Sequence, residues 1–150
     1  MRRIAIILLM CATSLVAIAE GWHYQENQAI LMSGAEFLDD DFDNPTYLGI
    51  MIDGRHEQDV VAIGIQGDGL TDFRASQLYV VVSFNRGKSE KWRIKELNNE
   101  ASQYKFFMIV SASKFINRLR SCESLQVTLP IYEYGTKTFY FFADGYPLDW

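Results

Sequence analysis

The stretch Leu78-Tyr79-Val80-Val81-Val82-Ser83-Phe84-Asn85-Arg86-Gly87-Lys88-Ser89-Glu90-Lys91-Trp92-Arg93-Ile94-Lys95-Glu96 decides the fold class. An apolar run through Val82 ends at Asn85-Arg86-Gly87, a cluster of turn formers. Beyond it polar and apolar residues alternate, with Trp92 set among Lys91, Arg93 and Lys95. Period-two alternation marks a strand with one buried face, because successive side chains point to opposite sides. The first run lacks a polar face, so it reads as a strand covered on both sides or lying at an interface. Two strands joined by a short turn make an antiparallel pair.

The same pattern extends in both directions. Strands are expected at Gln28–Gly34, Tyr47–Asp53, Val60–Gln66, Leu78–Asn85, Lys91–Glu96, Tyr104–Val110, Leu125–Tyr132 and Lys137–Ala143. Turn signals separate most of them: Asp53-Gly54, Gly67-Asp68-Gly69, Asn98-Asn99 and Tyr134-Gly135. Asp53-Gly54 and Tyr134-Gly135 read as hairpin connections, where glycine supplies a positive φ. Between Ser111 and Ser121 the period changes. Phe115, Ile116 and Leu119 recur at helical spacing, Ser111 or Ser113 is placed to cap, and Lys114, Arg118 and Arg120 fall on the outer side. The expected fold is all-β with one short helix, an antiparallel β-sandwich of about eight strands, with the helix crossing a sheet end or sealing an open edge. An outer-membrane barrel is the architectural rival. It needs strands of about 9–11 residues and a polar lumen at every second position, whereas these strands are shorter and would fill that lumen with Val, Phe and Ile.

The N-terminal segment has the layout of a secretory signal peptide. Arg2 and Arg3 precede an apolar run from Ile4 to Met10, small and apolar residues continue to Ile18, and Ala17 and Ala19 form a small-x-small site. Cleavage is expected between Ala19 and Glu20, giving residues 1–19 as signal peptide and 20–150 as a single domain in the periplasm or outside the cell. That domain has 131 residues, enough to bury roughly two-thirds of its unfolded surface. Removal of Cys11 leaves Cys122 as the sole cysteine, so no internal disulfide is expected and stability must come from packing. Cys122 itself is either a buried apolar filler or an intermolecular link.

Charge is unevenly distributed along the chain. Without Arg2 and Arg3, twelve basic residues stand against nineteen acidic ones, a net charge of −7. Residues 20–72 carry twelve acids against Arg55 alone, net −11, while residues 73–150 carry eleven bases against seven acids, net +4. Acidic and basic strands lying side by side would neutralise across the sheet; the alternative is a dipolar surface that steers a charged partner. The expectation here is cross-strand neutralisation. A net negative domain without a basic aromatic cluster is a poor nucleic-acid binder.

Motifs for catalysis and cofactors fall short of their patterns. Asp39, Asp41 and Asp43 have the alternate spacing of a calcium loop, but Asn44 stands at the glycine position and Ile50 at that of the bidentate glutamate, so a solvated acidic loop is expected. Ser111-Ala112-Ser113-Lys114 fits a serine-x-x-lysine signature without its two partner motifs, and helix capping accounts for the serines. His23 and His56, the only histidines, form no close ligand set for zinc and no triad with a nucleophile elbow. Gly64, Gly67 and Gly69 lack the lysine and helix of a phosphate loop. No metal, no cofactor and no catalytic residue is assigned. Aromatics are abundant, and Tyr132, Tyr134, Tyr140, Tyr146 and Trp150 gather toward the C-terminus. Tyrosines beside Arg118 and Arg120 would form a protein-binding patch, and Arg118, Arg120, Tyr132 and Tyr134 are the candidate interaction surface.

Val82-Ser83-Phe84-Asn85-Arg86-Gly87-Lys88-Ser89-Glu90-Lys91-Trp92, an aromatic strand, Phe115-Ile116-x-x-Leu119, Leu125-x-Val127 and Phe139-x-Phe141 follow one another in an order that resembles a known group. These are the small exported β-sandwich proteins associated with type VI secretion (VasI-like) and the related invasion-associated locus B group. The similarity covers about half of residues 20–150 and lies in spacing and apolar type, with Trp92 its distinctive residue. It implies a periplasmic, non-enzymatic accessory role. The resulting expectation is an exported protein-binding accessory of the cell envelope, associated with secretion, whose partner is another protein. Two alternatives stand beside it: an inhibitor or immunity protein against a secreted enzyme, and a small envelope hydrolase using paired carboxylates brought together in space.

Overall fold

The computed structural model describes residues 21–25, 28–33, 47–53, 60–66, 79–97, 106–131 and 135–145. Nine strands and one helix occupy them: β1 Gly21–Gln25, β2 Gln28–Met32, β3 Tyr47–Asp53, β4 Val60–Gln66, β5 Tyr79–Phe84, β6 Glu90–Leu97, β7 Phe106–Ile109, α1 Ala112–Leu119, β8 Ser124–Ile131 and β9 Gly135–Phe142. The protein is therefore all-β with one short helix. Each strand expected from alternation is present, and β3 and β4 have the expected bounds. β1 is an addition: Gly21-Trp22-His23-Tyr24-Gln25 has aromatics in place of an aliphatic alternation, and its strand character comes from pairing along its whole length with β2.

All pairings are antiparallel, and the ladder runs without a break in the order β1-β2-β3-β4-β7-β6-β5-β8-β9. The β5–β6–β7 meander is thus inserted in reverse, so that β7 lies against β4 and β5 against β8. Its two ends then approach one another. The Trp22 indole N–H donates to the Ala143 carbonyl at 3.0 Å, and β9 comes close to both β1 and β2. The sheet is nearly barrel-shaped.

One face of the curled sheet lines a continuous apolar core. Leu31, Leu48, Ile50, Ile52, Val61 and Ile63 come from β2–β4; Val80, Val82, Phe84, Trp92 and Ile94 from β5 and β6; Leu125, Val127, Leu129, Phe139 and Phe141 from β8 and β9. In-register rows such as Val82, Val127 and Phe139 come from strict alternation in antiparallel pairs. Each such side chain removed from water contributes about 1.5–3 kcal/mol.

β2–β4 are buried on their second face as well, with Ile30, Met32, Met51 and Ala62 nearly inaccessible. That explains why their sequences lack a polar face. Gln28 and Asp53, opposite one another on β2 and β3, are the polar pair within this region, and the Gln28 amide donates to Asp53 Oδ2 at 3.1 Å. Ser33 extends the same ladder: its Oγ accepts the Leu48 N–H at 2.8 Å.

α1 closes the core. Phe115, Ile116 and Leu119 turn inward, and the helix lies against β4 and β7. Ser111 occupies the N-cap position as expected, but its side chain makes no capping hydrogen bond. The helix is held by its apolar stripe, since a free helix of this length is unstable in water. Cys122, just beyond it, is free and buried in the core, and its thiol donates to the Ser124 carbonyl at 2.9 Å.

Of the twelve acids in residues 20–72 only Asp53 lies within the described residues, so the expected cross-strand neutralisation falls mostly outside them. Strands from residues 21–66 pair with one another in β1–β4, those from residues 79–142 pair in β5–β9, and the two groups meet at the β4–β7 pair and at the β1–β9 approach. Local hairpins keep sequence neighbours adjacent, and within β1–β4 Asp53 is the one Asp, Glu, Lys or Arg.

Candidate interaction surface

Among the described residues two surfaces carry exposed side chains with binding chemistry, and the first is the β5–β6 hairpin. Gly87 N–H donates to the Phe84 carbonyl at 2.8 Å across Asn85 and Arg86, whose φ angles are 51° and 57°. Two consecutive left-handed residues define the tight turn whose twist matches an antiparallel pair. Asparagine tolerates that conformation; arginine is strained in it. Gly87 is required by space, because a Cβ there would lie 2.9 Å from the Phe84 carbonyl oxygen.

Asn85 ties this turn to the loop after α1. Its Nδ2 donates to the Ser121 carbonyl at 3.1 Å, and its Oδ1 accepts the N–H groups of Glu123 at 2.8 Å and Ser124 at 3.2 Å. The tip is thus braced by a side chain. Below it, Trp92 packs edge-on to Phe115 (5.1 Å between centroids) and Phe84 (6.0 Å), and its indole Nε1 is buried without a hydrogen-bond partner.

Trp92 and Ile94 face the core, so Lys91, Arg93 and Lys95 must face outward; all three are exposed, as are Arg86 and Lys88 at the tip. Lys91 Nζ lies 4.5 Å from the centre of the Tyr79 ring. Glu90 is the one acid between Arg86 and Lys95, and Arg118 of α1 holds it at 2.7 Å. Arg118 also lies over the Phe84 ring at 4.8 Å, and Lys114 over Trp92 at 5.4 Å.

The second surface lies at the seam between β1 and β9. Tyr140 and Phe142 point away from the core and are 55% and 65% exposed. Tyr24, 56% exposed, stacks on Trp22 with 6.5 Å between ring centroids, and its hydroxyl donates to the Gly145 carbonyl at 3.1 Å. Desolvation raises the Tyr24 phenol above its ordinary value.

Two of the four expected interaction residues, Arg118 and Arg120, lie within the described residues. Arg118 is engaged with Glu90 and Phe84, and Arg120 is exposed at the helix end. Tyr132 and Tyr134 lie outside the described residues. So do the cleavage site at Ala19 and Glu20, the acidic loop Asp39–Asp43, and His56. Lys114 of the serine-x-x-lysine match reaches the Trp92 ring, and among the described residues no group of three or more His, Cys, Asp or Glu could hold a metal ion. Tyr24, Tyr140, Phe142 and the β6 cations were not among the candidates. Their signal was present in the alternation Phe139-Tyr140-Phe141-Phe142 and Lys91-Trp92-Arg93-Ile94-Lys95, where burial of one set puts the other on the surface.

Comparison with known proteins gives no further assignment: no family model, no curated protein and no solved structure matches this chain.

Proposed function

We propose that this chain is an exported, non-enzymatic protein-binding accessory of the cell envelope, acting in the periplasm or outside the cell in connection with secretion. The signal-peptide layout of residues 1–19 and the resemblance to VasI-like and invasion-associated locus B proteins support the address. The observation that carries the binding role is the pair Tyr140 and Phe142. They are large aromatics more than half exposed, two residues apart on a strand at the end of the ladder. Exposed aromatics on a terminal strand offer apolar area and a partly unpaired backbone edge, and both favour association.

The test is capture from an envelope fraction by residues 20–150, compared with a Tyr140→Ser/Phe142→Ser double variant of matched stability. A partner retained by the parent and lost by the variant is the expected result. Equal capture by both, or recovery of the full-length chain only in the cytoplasmic fraction, overturns the reading.

A further inference from the structure

We propose that the β5–β6 hairpin is a docking strip for a short acidic segment of a partner protein. This rests on the protein-binding reading and goes beyond it by stating the partner's chemistry.

Arg86, Lys88, Lys91, Arg93 and Lys95 run along one hairpin arm, all exposed. Arg118 takes up Glu90, the one acid between Arg86 and Lys95, and so withdraws it from the cations of the strip. Among the described residues Arg86, Lys88, Arg93 and Lys95 have no ion pair. Lys91, Arg93 and Lys95 stand on one face at intervals of about 6.8 Å, the two-residue repeat of a strand. An extended peptide with a carboxylate at every second residue has the same repeat. Apolar contacts flank the strip: Tyr79 and Val81 on β5, Met108 on β7, and Val110, which is 56% exposed and whose N–H donates to the Arg93 carbonyl. A partner's apolar side chains between its acids would rest there.

Arg86 is a second, independent observation. It sits at φ 57° at an exposed tip where glycine would be unstrained. A cation held there at the expense of backbone strain fits a binding role better than a folding one.

The chain's own charge selects among anions. Residues 20–150 carry a net charge of −7. A domain of that net charge repels a long polyanion or an anionic bilayer as a whole, whereas a short acidic segment can be matched by the strip alone.

The experiment uses residues 20–150 and a fluorescein-labelled Glu-Thr repeat octapeptide, followed by anisotropy at low and physiological salt. A single-stranded thymidine oligonucleotide and phosphatidylglycerol vesicles are the comparison probes. Saturable peptide binding is expected. It should weaken by about tenfold or more in Lys91→Glu/Arg93→Glu/Lys95→Glu, and weaken with salt. Arg86→Gly is expected to unfold at higher denaturant yet bind the peptide about two- to threefold more weakly, which separates recognition from folding. Peptide binding that ignores the triple reversal, or tighter binding of the oligonucleotide or vesicles, overturns the proposal. If the charge-reversed chain still captures its envelope partner while the Tyr140/Phe142 variant does not, the hairpin proposal fails and the protein-binding reading stands.

Discussion

The Trp22 indole N–H donates to the Ala143 carbonyl at 3.0 Å and so joins the first strand of the ladder to the residue just beyond the last, 121 positions away in sequence. Tyr24 repeats the contact one pleat on, at Gly145. Two side chains thereby hold together ladder ends whose backbones are not paired.

Trp22→Phe keeps most of the apolar body and removes the donor. A loss of about 1 kcal/mol is expected from that hydrogen bond, and Trp22→Ala should cost more because core contact is lost as well. Urea unfolding gives both values. Amide exchange near Ala143 should accelerate in both variants; unchanged exchange would show that the seam is held by other contacts.

Asn85 combines a left-handed backbone with three side-chain hydrogen bonds to residues 121–124. Asn85→Ala should cost about 2–3 kcal/mol. Asn85→Gly relieves the backbone while still losing the bonds, so it should fall between the parent and Asn85→Ala. If alanine and glycine are equivalent in chemical denaturation, backbone conformation contributes nothing there.

Arg86 gives the opposite sign. Relief of a left-handed arginine is worth about 1–2 kcal/mol, offset by about 0.5–1 kcal/mol of added glycine freedom in the unfolded chain. Arg86→Gly should therefore raise the urea midpoint modestly. A destabilised variant would mean that the arginine side chain contributes to folding through contacts of its own.

Trp92 packs against two rings with its Nε1 buried and unpartnered. Trp92→Phe removes both the orphan donor and some volume, two effects of opposite sign. Its cost should be less than half that of Trp92→Ala, for which about 3–5 kcal/mol is expected. Equal losses would indicate that the indole N–H is satisfied in solution.

Burial raises the Cys122 thiol above its ordinary value. The folded chain then keeps a proton that the unfolded chain releases, so this contribution is intact below the ordinary thiol value and is lost as pH rises through the folded one. Unfolding free energy should decline above the ordinary thiol value more steeply in the parent than in Cys122→Ala. A thiol reagent should also react slowly until the chain is unfolded.

The strands after β1, the turn at Asn85-Arg86-Gly87, the positive φ at Gly135 and the helix between Ser111 and Ser121 were legible in the sequence. Each is written in a local signal: a period of two, a residue type that accepts positive φ, or apolar residues at Phe115, Ile116 and Leu119. Gly135 bears this out with its φ of 75°. β1 was not legible, because a five-residue aromatic segment becomes a strand only when β2 lies beside it.

Tertiary structure alone decided that β7 joins β4, that β5 joins β8, and that Trp22 reaches Ala143. A two-sheet packing and a single curled sheet place the same alternate residues inside, so periodicity does not choose between their strand orders. The meeting of the two groups of strands at the β4–β7 pair follows from that order. So does the exposure of Tyr140 and Phe142, and the capture of Glu90 by Arg118 from a different element. These features depend on which distant surfaces meet, and that is set by burying the whole core at once.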